Sequence, residues 1–180
     1  AVSLLKVQYR MHEDIMRFSS DWFYGGELEA APEIRHRGIL DWDTPVTWLD
    51  TSGMDFKEEF VGETFGRINK EEAGLLLKEL EAYIQRIGGN RILEDFGLIS
   101  PYKAQVQYLR GKIKGSASLR PYRSLITVNT VDGFQGQERD VIFISLVRAN
   151  EEGQIGFLND LRRMNVAITR ARMKLVILGE

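Results

Sequence analysis

The sequence predicts an α/β fold of three layers with a mostly parallel sheet. Short apolar runs rich in β-branched and aromatic residues alternate with stretches of helical spacing along the 180 residues. Several of these runs lack strict apolar–polar alternation, which is typical of strands covered on both faces. Strands that alternate with helices favour right-handed βαβ units, whose ligands bind in loops at the carboxyl ends of the strands.

Five runs are predicted to form the strands of this sheet. Each is four to seven residues long and is bounded by polar or glycine-containing stretches. They are VTWLDT (46–51), FGLIS (96–100), LITV (125–128), VIFISLV (141–147) and LVILG (175–179).

The clearest predicted helix follows Asn69, a residue type that caps helix amino ends. Glu71 and Glu72 suit its first turn, and Gly88 with the glycine after it predicts its end. Residues 53–68 show no clear period and are interpreted as a surface loop or an insertion within one domain, 1–180. Three further helices are predicted at 12–26, 101–115 and 157–172.

The composition excludes several classes of protein. Hydrophobic residues make up 43% and charged residues 28%, as in a globular protein, and no apolar run approaches the roughly 20 residues that cross a bilayer. We therefore expect a cytoplasmic location. There is no cysteine, and His12 and His36 stand far apart, so no metal site is expected. The net charge of −2 means that any contact with a polyanion must be local.

The stretch RRMNVAITRAR, residues 162–172, carries four arginines in eleven residues. On a helix, Arg163, Ala167 and Arg170 form one stripe. The stripe fits either a solvated basic face or a phosphate site, since the planar guanidinium group matches phosphate oxygens bidentately.

A polar turn with two glycines follows the strand that ends near residue 128. Gly133 and Gly136 allow a backbone to approach a ligand closely, and Asn129, Thr130 and Gln135 supply hydrogen-bonding groups. An ordinary turn does not need so many polar side chains, which favours a binding role.

Four motifs stand in order along the chain: VQYRMH (7–12), SPYKAQ (100–105), VNTVDGFQGQERDVIFISLVRAN (128–150) and RRMNVAITRARMKLVILG (162–179). They resemble the motifs of superfamily 1 helicases, most closely those of the up-frameshift and senataxin-like group that moves 5′ to 3′. Glu13 stands where the family commonly has proline. The resemblance implies a RecA-like second motor domain of the P-loop NTPase type, but the chain holds no G-x-x-x-x-G-K-[ST] of its own. We expect it to be a piece of a larger protein whose first motor domain holds ATP and Mg²⁺.

The resemblance also implies roles in ATP hydrolysis. Arg170 matches the arginine finger that reaches the γ-phosphate, and Arg10 matches a second arginine that approaches it. Whether Arg163 touches nucleotide or braces the neighbouring motif stays open. Nucleotide-binding positions are implied for Tyr9, which matches an aromatic that stacks on adenine, and for Gly136 and Glu138; Arg163 joins them in the first of its two readings.

Single-stranded RNA or DNA is the implied partner, held by hydroxyl and amide groups rather than by many lysines. This mode of binding reconciles a polyanion with a net charge of −2. The implied contacts are Ser100, Tyr102, Lys103, Asn129 and Thr130.

Other features have less specific interpretations. The basic cluster at 110–123 either extends the nucleic-acid track or is a solvated surface, and the solvated surface is favoured. The aromatic residues 22–24, Trp42 and Trp48 fit core or interdomain packing better than base stacking. A functional alternative is an inactive RecA-like scaffold within a nuclease or defence complex, although a scaffold needs no Arg10, Glu138 and Arg170 together.

Overall fold

The computed structural model of the protein describes ten stretches of the chain. They are residues 7–8, 13, 15, 29–30, 45–51, 53–61, 66–88, 94–134, 137–147 and 166–179. The predicted helix at 12–26 therefore falls mostly outside the described residues, although Glu13 and Ile15 are helical. None of the described helices has the length and apolar character needed to cross a bilayer.

Nine strands and two α-helices have both ends within the described residues. In chain order they are β1 (Val7–Gln8), β2 (Glu29–Ala30), β3 (Val46–Asp50), β4 (Glu59–Val61), β5 (Gly66–Ile68), α1 (Lys70–Ile87), β6 (Phe96–Ile99), α2 (Lys103–Lys114), β7 (Ile126–Asn129), β8 (Arg139–Ser145) and β9 (Ala171–Gly179). Two 3₁₀ helices, Arg120–Leu125 and Asp132–Phe134, lie on either side of β7.

Five strands form the central sheet in the order β3-β9-β8-β6-β7, and every neighbouring pair is parallel. The structure thus confirms the predicted parallel sheet. All five strands end on the same side, which we call the carboxyl edge, and begin on the opposite side, the amino edge. The short pair β1 and β2 is also parallel, whereas β4 and β5 form an antiparallel hairpin.

Both faces of the central sheet are buried. Leu98 and Phe143 face one core cluster, which α1 and α2 cover, whereas Ile99 and Ile144 face a second cluster that includes Phe134. Successive side chains of a strand point to opposite faces, so a strand covered on both sides needs apolar residues at every position. This explains the uninterrupted apolar runs in β6 and β8 and confirms the three-layer prediction.

The ends of α1 follow the prediction made from its sequence. The Asn69 side chain accepts a hydrogen bond from the Glu72 N–H at 3.0 Å, as an amino-terminal cap does. Gly88 takes the left-handed conformation (φ 109°) and donates its N–H to the carbonyls of Ile84 and Gln85. Helix α2 begins two residues later than predicted, at Lys103.

Two predictions of local structure are wrong in part. The segment 53–68 is not wholly a loop, because it contains the β4–β5 hairpin, whose Arg67 pairs with Glu58 at 3.0 Å. The helix predicted at 157–172 does not reach Arg172: residues 166–168 are helical, 169–170 form a turn, and β9 starts at Ala171. Pairing of β9 with β8 takes these last residues into the sheet, which local helical spacing cannot anticipate.

A buried polar network joins α1, α2 and the end of β8. Glu72 is fully buried, and its Oε1 accepts hydrogen bonds from the Ser145 hydroxyl at 2.5 Å and from the Val147 N–H at 2.8 Å. Gln105 donates to the Ser145 hydroxyl and to the Asn69 carbonyl, and its side-chain oxygen accepts the Asn69 N–H. In a capping box the third helical residue takes that N–H. Here Gln105 takes it from another helix, which leaves Glu72 for β8.

The network also holds a backbone conformation that valine rarely adopts. Val147 has φ 72°, which costs a β-branched residue about 1–3 kcal/mol. Its N–H is bound by Glu72, and its carbonyl accepts a hydrogen bond from the Asn69 side chain at 3.2 Å. Helix α1 and its cap therefore hold the backbone of Val147 in this conformation.

We expect Glu72→Ala to lower the free energy of unfolding by about 3 kcal/mol. The substitution leaves the Ser145 hydroxyl and the Val147 N–H without their acceptor, at about 1–3 kcal/mol for each buried group. Urea denaturation followed by circular dichroism measures the change. The matched control is Glu79→Ala, on the same helix but more exposed, which should change stability by less than about 0.5 kcal/mol. Equal effects of the two substitutions would contradict a structural role for the network.

Candidate functional site

The carboxyl edge brings together the predicted nucleic-acid contacts from two neighbouring strands. Ser100 follows β6, and Asn129 ends β7; the Ser100 N–H donates to the Asn129 carbonyl at 3.3 Å. Thr130 comes next after Asn129, and Lys103 opens helix α2 beside Ser100. Residues from two motifs that lie 25 or more positions apart in the sequence thus meet at one edge, because the two strands are parallel and adjacent.

These residues differ in how much of each side chain a ligand can reach. Ser100 is fully buried, and its hydroxyl accepts the Tyr102 N–H at 3.4 Å, so it shapes the start of α2. Lys103 is exposed, while Tyr102, Asn129 and Thr130 are half-buried. The ammonium group of Lys103 makes no ion pair with any described residue. Direct contact with a ligand therefore suits the other four residues better than Ser100.

The turn after β7 is organised by its own side chains. Asn129 Oδ1 accepts the Thr130 N–H at 2.8 Å, and the Thr130 hydroxyl accepts the Gly133 N–H at 3.3 Å. The Asn129 side-chain nitrogen donates to no other residue in the described part of the chain. The accepting groups of Asn129 and Thr130 are thus used within the turn, and the Asn129 amide donor meets no acceptor among the described residues, which is the polarity that a phosphate oxygen requires.

The structure explains why position 133 is glycine, and the explanation differs from the predicted approach of the backbone to a ligand. A Cβ at this position would overlap the Asn129 side chain, so glycine is needed for Asn129 to lie beneath the turn. The close approach is thus to a side chain of the same chain. Gly136, the other glycine of the turn, lies outside the described residues, as does Gln135.

The amino edge holds two of the predicted nucleotide contacts. Glu138 precedes β8 and Arg170 precedes β9, and the Arg139 N–H donates to the Arg170 carbonyl at 2.9 Å. Both side chains are half-buried. The β8–β9 pairing therefore makes Glu138 and Arg170 neighbours at this edge. Tyr9, Arg10 and Arg163 lie outside the described residues.

The predicted arginine stripe is only partly consistent with the structure. Arg170 lies in a turn after the helical residues, with its N–H donating to the Ala167 carbonyl at 3.3 Å. Ala167, the middle of the stripe, is fully buried. Arg170 therefore does not continue the helix, and the turn places it at the amino edge.

Arg172 has acidic partners within the domain. Its Nε lies 3.1 Å from Asp140 Oδ1, and its Nη2 lies 3.3 Å from Asp95 Oδ1. Burial raises the pKa of the Asp140 carboxyl above its ordinary value; the Asp95 N–H that it accepts and the Arg172 charge oppose the shift, while the Asp95 charge adds to it. One of the four arginines at 162–172 is therefore structural.

Two sets of contacts near the site could not be predicted from the sequence. Glu72 looks like an ordinary acidic residue of a first helical turn, and only its spacing from Asn69 signals a special role. Arg110, counted only within a basic cluster, donates through Nε and Nη2 to the Val128 carbonyl at 3.0 and 2.6 Å. No group of three acidic or histidine side chains among the described residues is arranged to hold a metal.

Comparison with known proteins identifies the family of this chain. The family model described as "AAA domain" matches residues 1–180. The chain is 37% identical to the DNA polymerase alpha-associated DNA helicase A of Saccharomyces cerevisiae, over 99% of this chain and 27% of that protein. It is 38% identical to the regulator of nonsense transcripts 1 homolog of Drosophila melanogaster, over 97% of this chain and 15% of that protein. Helicase sen1 of Schizosaccharomyces pombe is 36% identical, over 98% of this chain and 10% of that protein.

A solved structure has the same fold. The C-terminal domain of a possible DNA helicase from Lactobacillus plantarum WCFS1 superposes with a TM-score of 0.54, over 96% of this chain and 87% of that chain. The two sequences are 13% identical, so this likeness concerns the fold alone. The chain spans about a quarter or less of the length of the three helicases above.

Proposed function

We propose that this chain is the second motor domain of an ATP-dependent helicase. The premise is its family: the chain belongs to the AAA domain family, as a superfamily 1 helicase domain of the up-frameshift type. Its fold is RecA-like, with a parallel sheet and helices on its faces. The relatives named as helicases favour this function over an inactive scaffold.

One continuous segment, residues 129–138, supports the function most strongly. It begins at the carboxyl edge with Asn129 and Thr130 and ends at the amino edge with Glu138, which neighbours Arg170. The edges stand roughly 20 Å apart, the length of a seven-residue strand. A strand of nucleic acid on one edge and a nucleotide at the other would share this segment, so that movement at one site reaches the other.

In this proposal Arg170 supplies positive charge to the transferred phosphate of ATP. Hydrolysis develops negative charge on the equatorial oxygens of that phosphate, and a guanidinium group delivered from a second domain stabilises it only when the two domains close. Arg10 approaches the same phosphate, Tyr9 stacks on adenine, and Gly136, Glu138 and Arg163 line the nucleotide. The partner is a first RecA-like domain, whose P-loop holds the phosphates of ATP and whose acidic residues hold Mg²⁺.

The carboxyl edge, in the same proposal, binds the backbone of single-stranded RNA or DNA. Asn129, Thr130, Tyr102 and Lys103 offer donors to phosphate oxygens, and Ser100 shapes the start of α2 from beneath. Contacts of this kind carry little sequence preference. The site of action is inside the cell, in the cytoplasm, where ATP is available.

Arg170→Ala in the full-length protein should lower the rate of ATP turnover by about a thousandfold, or about 4 kcal/mol of barrier, because an arginine finger acts on the transition state. Steady-state hydrolysis at saturating nucleic acid measures the rate, and binding of a fluorescent ATP analogue should change by only a few-fold. The matched control is Arg172→Ala, two residues further on, whose guanidinium pairs inside the domain. Turnover by Arg170→Ala within a few-fold of this control would remove Arg170 from the finger role.

Asn129→Ala should weaken binding of single-stranded nucleic acid by about tenfold, because it removes a donor and loosens the turn at about 1–1.5 kcal/mol. Gly133→Ala should have a similar effect without deleting Asn129, since the added methyl group displaces its side chain. Fluorescence anisotropy with a labelled oligonucleotide measures the affinity, and ATP-analogue binding should stay unchanged. Gln85→Ala, which removes an exposed carboxamide from α1, is the control. Equal loss of nucleic-acid and nucleotide binding would argue against a separate site at the carboxyl edge.

A further inference from the structure

Charge is distributed unevenly along this chain. Between Asp95 and Asp132 there are six basic residues and no acidic residue, although the whole chain carries 26 acidic and 24 basic residues. The six are Lys103, Arg110, Lys112, Lys114, Arg120 and Arg123. None of them forms an ion pair with another described residue. This stretch is therefore locally cationic in a protein whose net charge is −2.

Helix α2 places three of these basic residues on one of its faces. Lys103, Arg110 and Lys114 share a face with Gln107, at the i, i+4, i+7 and i+11 spacing of a helical stripe, and all four side chains are exposed. The stripe starts at the carboxyl edge, where Lys103 lies beside Ser100. It runs about 16 Å along α2, which is room for roughly three to five nucleotides.

A groove lies beside the stripe, between α2, the 3₁₀ helix Arg120–Leu125 and the outer strand β7. Its volume is ≈ 450 Å³, and its lining, as far as the described residues form it, includes the basic residues Arg110, Lys114 and Arg123 but no acidic residue. Ile113 and Ile126 provide apolar surface between the charges. Cations that line an apolar groove suit a strand with a charged backbone and flat bases.

Arg110 fixes the floor of the groove. It donates two hydrogen bonds to the Val128 carbonyl, across the free side of β7. This carbonyl belongs to the residue before Asn129, so the groove and the turn at the carboxyl edge share one stretch of backbone. The contact also occupies a backbone acceptor of an outer strand, which disfavours strand addition as the use of this surface.

We infer that the groove binds the phosphodiester backbone of the single strand where it continues beyond the carboxyl edge. The inference rests on the proposed function, since the strand must first be held by Asn129, Thr130 and Lys103. It departs from the solvated surface that the sequence favours for 110–123. Two observations carry it: no acidic side chain among the described residues lines the groove, and the stripe is continuous with Lys103.

The test compares oligonucleotides of two lengths on the full-length protein. One homopolymer of uridine or thymidine is just long enough for the carboxyl edge, and the other is longer by about ten nucleotides, within the usual range of single-strand sites. Lys114→Ala combined with Arg123→Ala removes two charges from the groove and leaves Arg110, which supports β7, in place. Lys57→Ala combined with Lys78→Ala removes two exposed charges elsewhere and is the matched control.

The groove variant should bind the long oligonucleotide about tenfold more weakly than the control variant. Its slope of log affinity against log salt should be shallower by about 1.4, the value for two lost phosphate contacts on a single strand. Its affinity for the short oligonucleotide should match the control.

Three results would overturn the inference. If both variants bind the long oligonucleotide equally, the groove is not part of the track, whereas the proposed function stands. Equal weakening for the short and long oligonucleotides would show a general loss of binding and no separate groove site. If the unmodified protein binds neither oligonucleotide, the proposed function itself fails.

Discussion

The buried carboxylate of Glu72 is the interaction on which the rest of the carboxyl edge depends. A carboxylate far from water is costly unless strong donors surround it, and the Ser145 hydroxyl and the Val147 N–H supply them. Because Gln105 and Asn69 complete the network, α1, α2 and β8 cannot shift independently of one another. Helix α2 carries Lys103 and borders β7. The network therefore fixes the position of the helix that supplies Lys103 to the carboxyl edge.

The parallel sheet keeps two groups of polar side chains apart. Every strand of the central sheet begins at one edge and ends at the other, so side chains that follow strands and side chains that precede them lie far apart. Donors that suit a phosphodiester backbone collect at the carboxyl edge, while Glu138 and Arg170 meet at the amino edge. The segment 129–138 spans the distance between these edges, and Gly133 keeps its first turn tight against Asn129. In the proposed motor, this connection would let domain closure on ATP act on the strand.

The net charge of the chain is close to zero, but its acidic and basic residues are unevenly distributed. Acidic residues are excluded from the stretch between Asp95 and Asp132, which forms α2, the adjoining 3₁₀ helix and β7, at one end of the sheet. On the amino edge, by contrast, Arg172 is neutralised by Asp95 and Asp140. Arginines that look equivalent in the sequence thus have different environments, because the sheet gives Arg172 two acidic neighbours and places Arg170 directly before the start of β9.

The sequence by itself determined the fold class, the five strands of the central sheet and the caps of α1, because strand burial and helix ends depend on neighbouring residues. It also contained the motifs from which Asn129, Thr130, Glu138 and Arg170 were selected. Only the tertiary structure decided that 53–68 includes a hairpin, that the chain enters β9 at Ala171, and that Glu72 and Gln105 form one network. Those features depend on partners 9 to 75 residues away in sequence, and no local pattern of propensity or spacing specifies which distant group will lie within hydrogen-bonding distance.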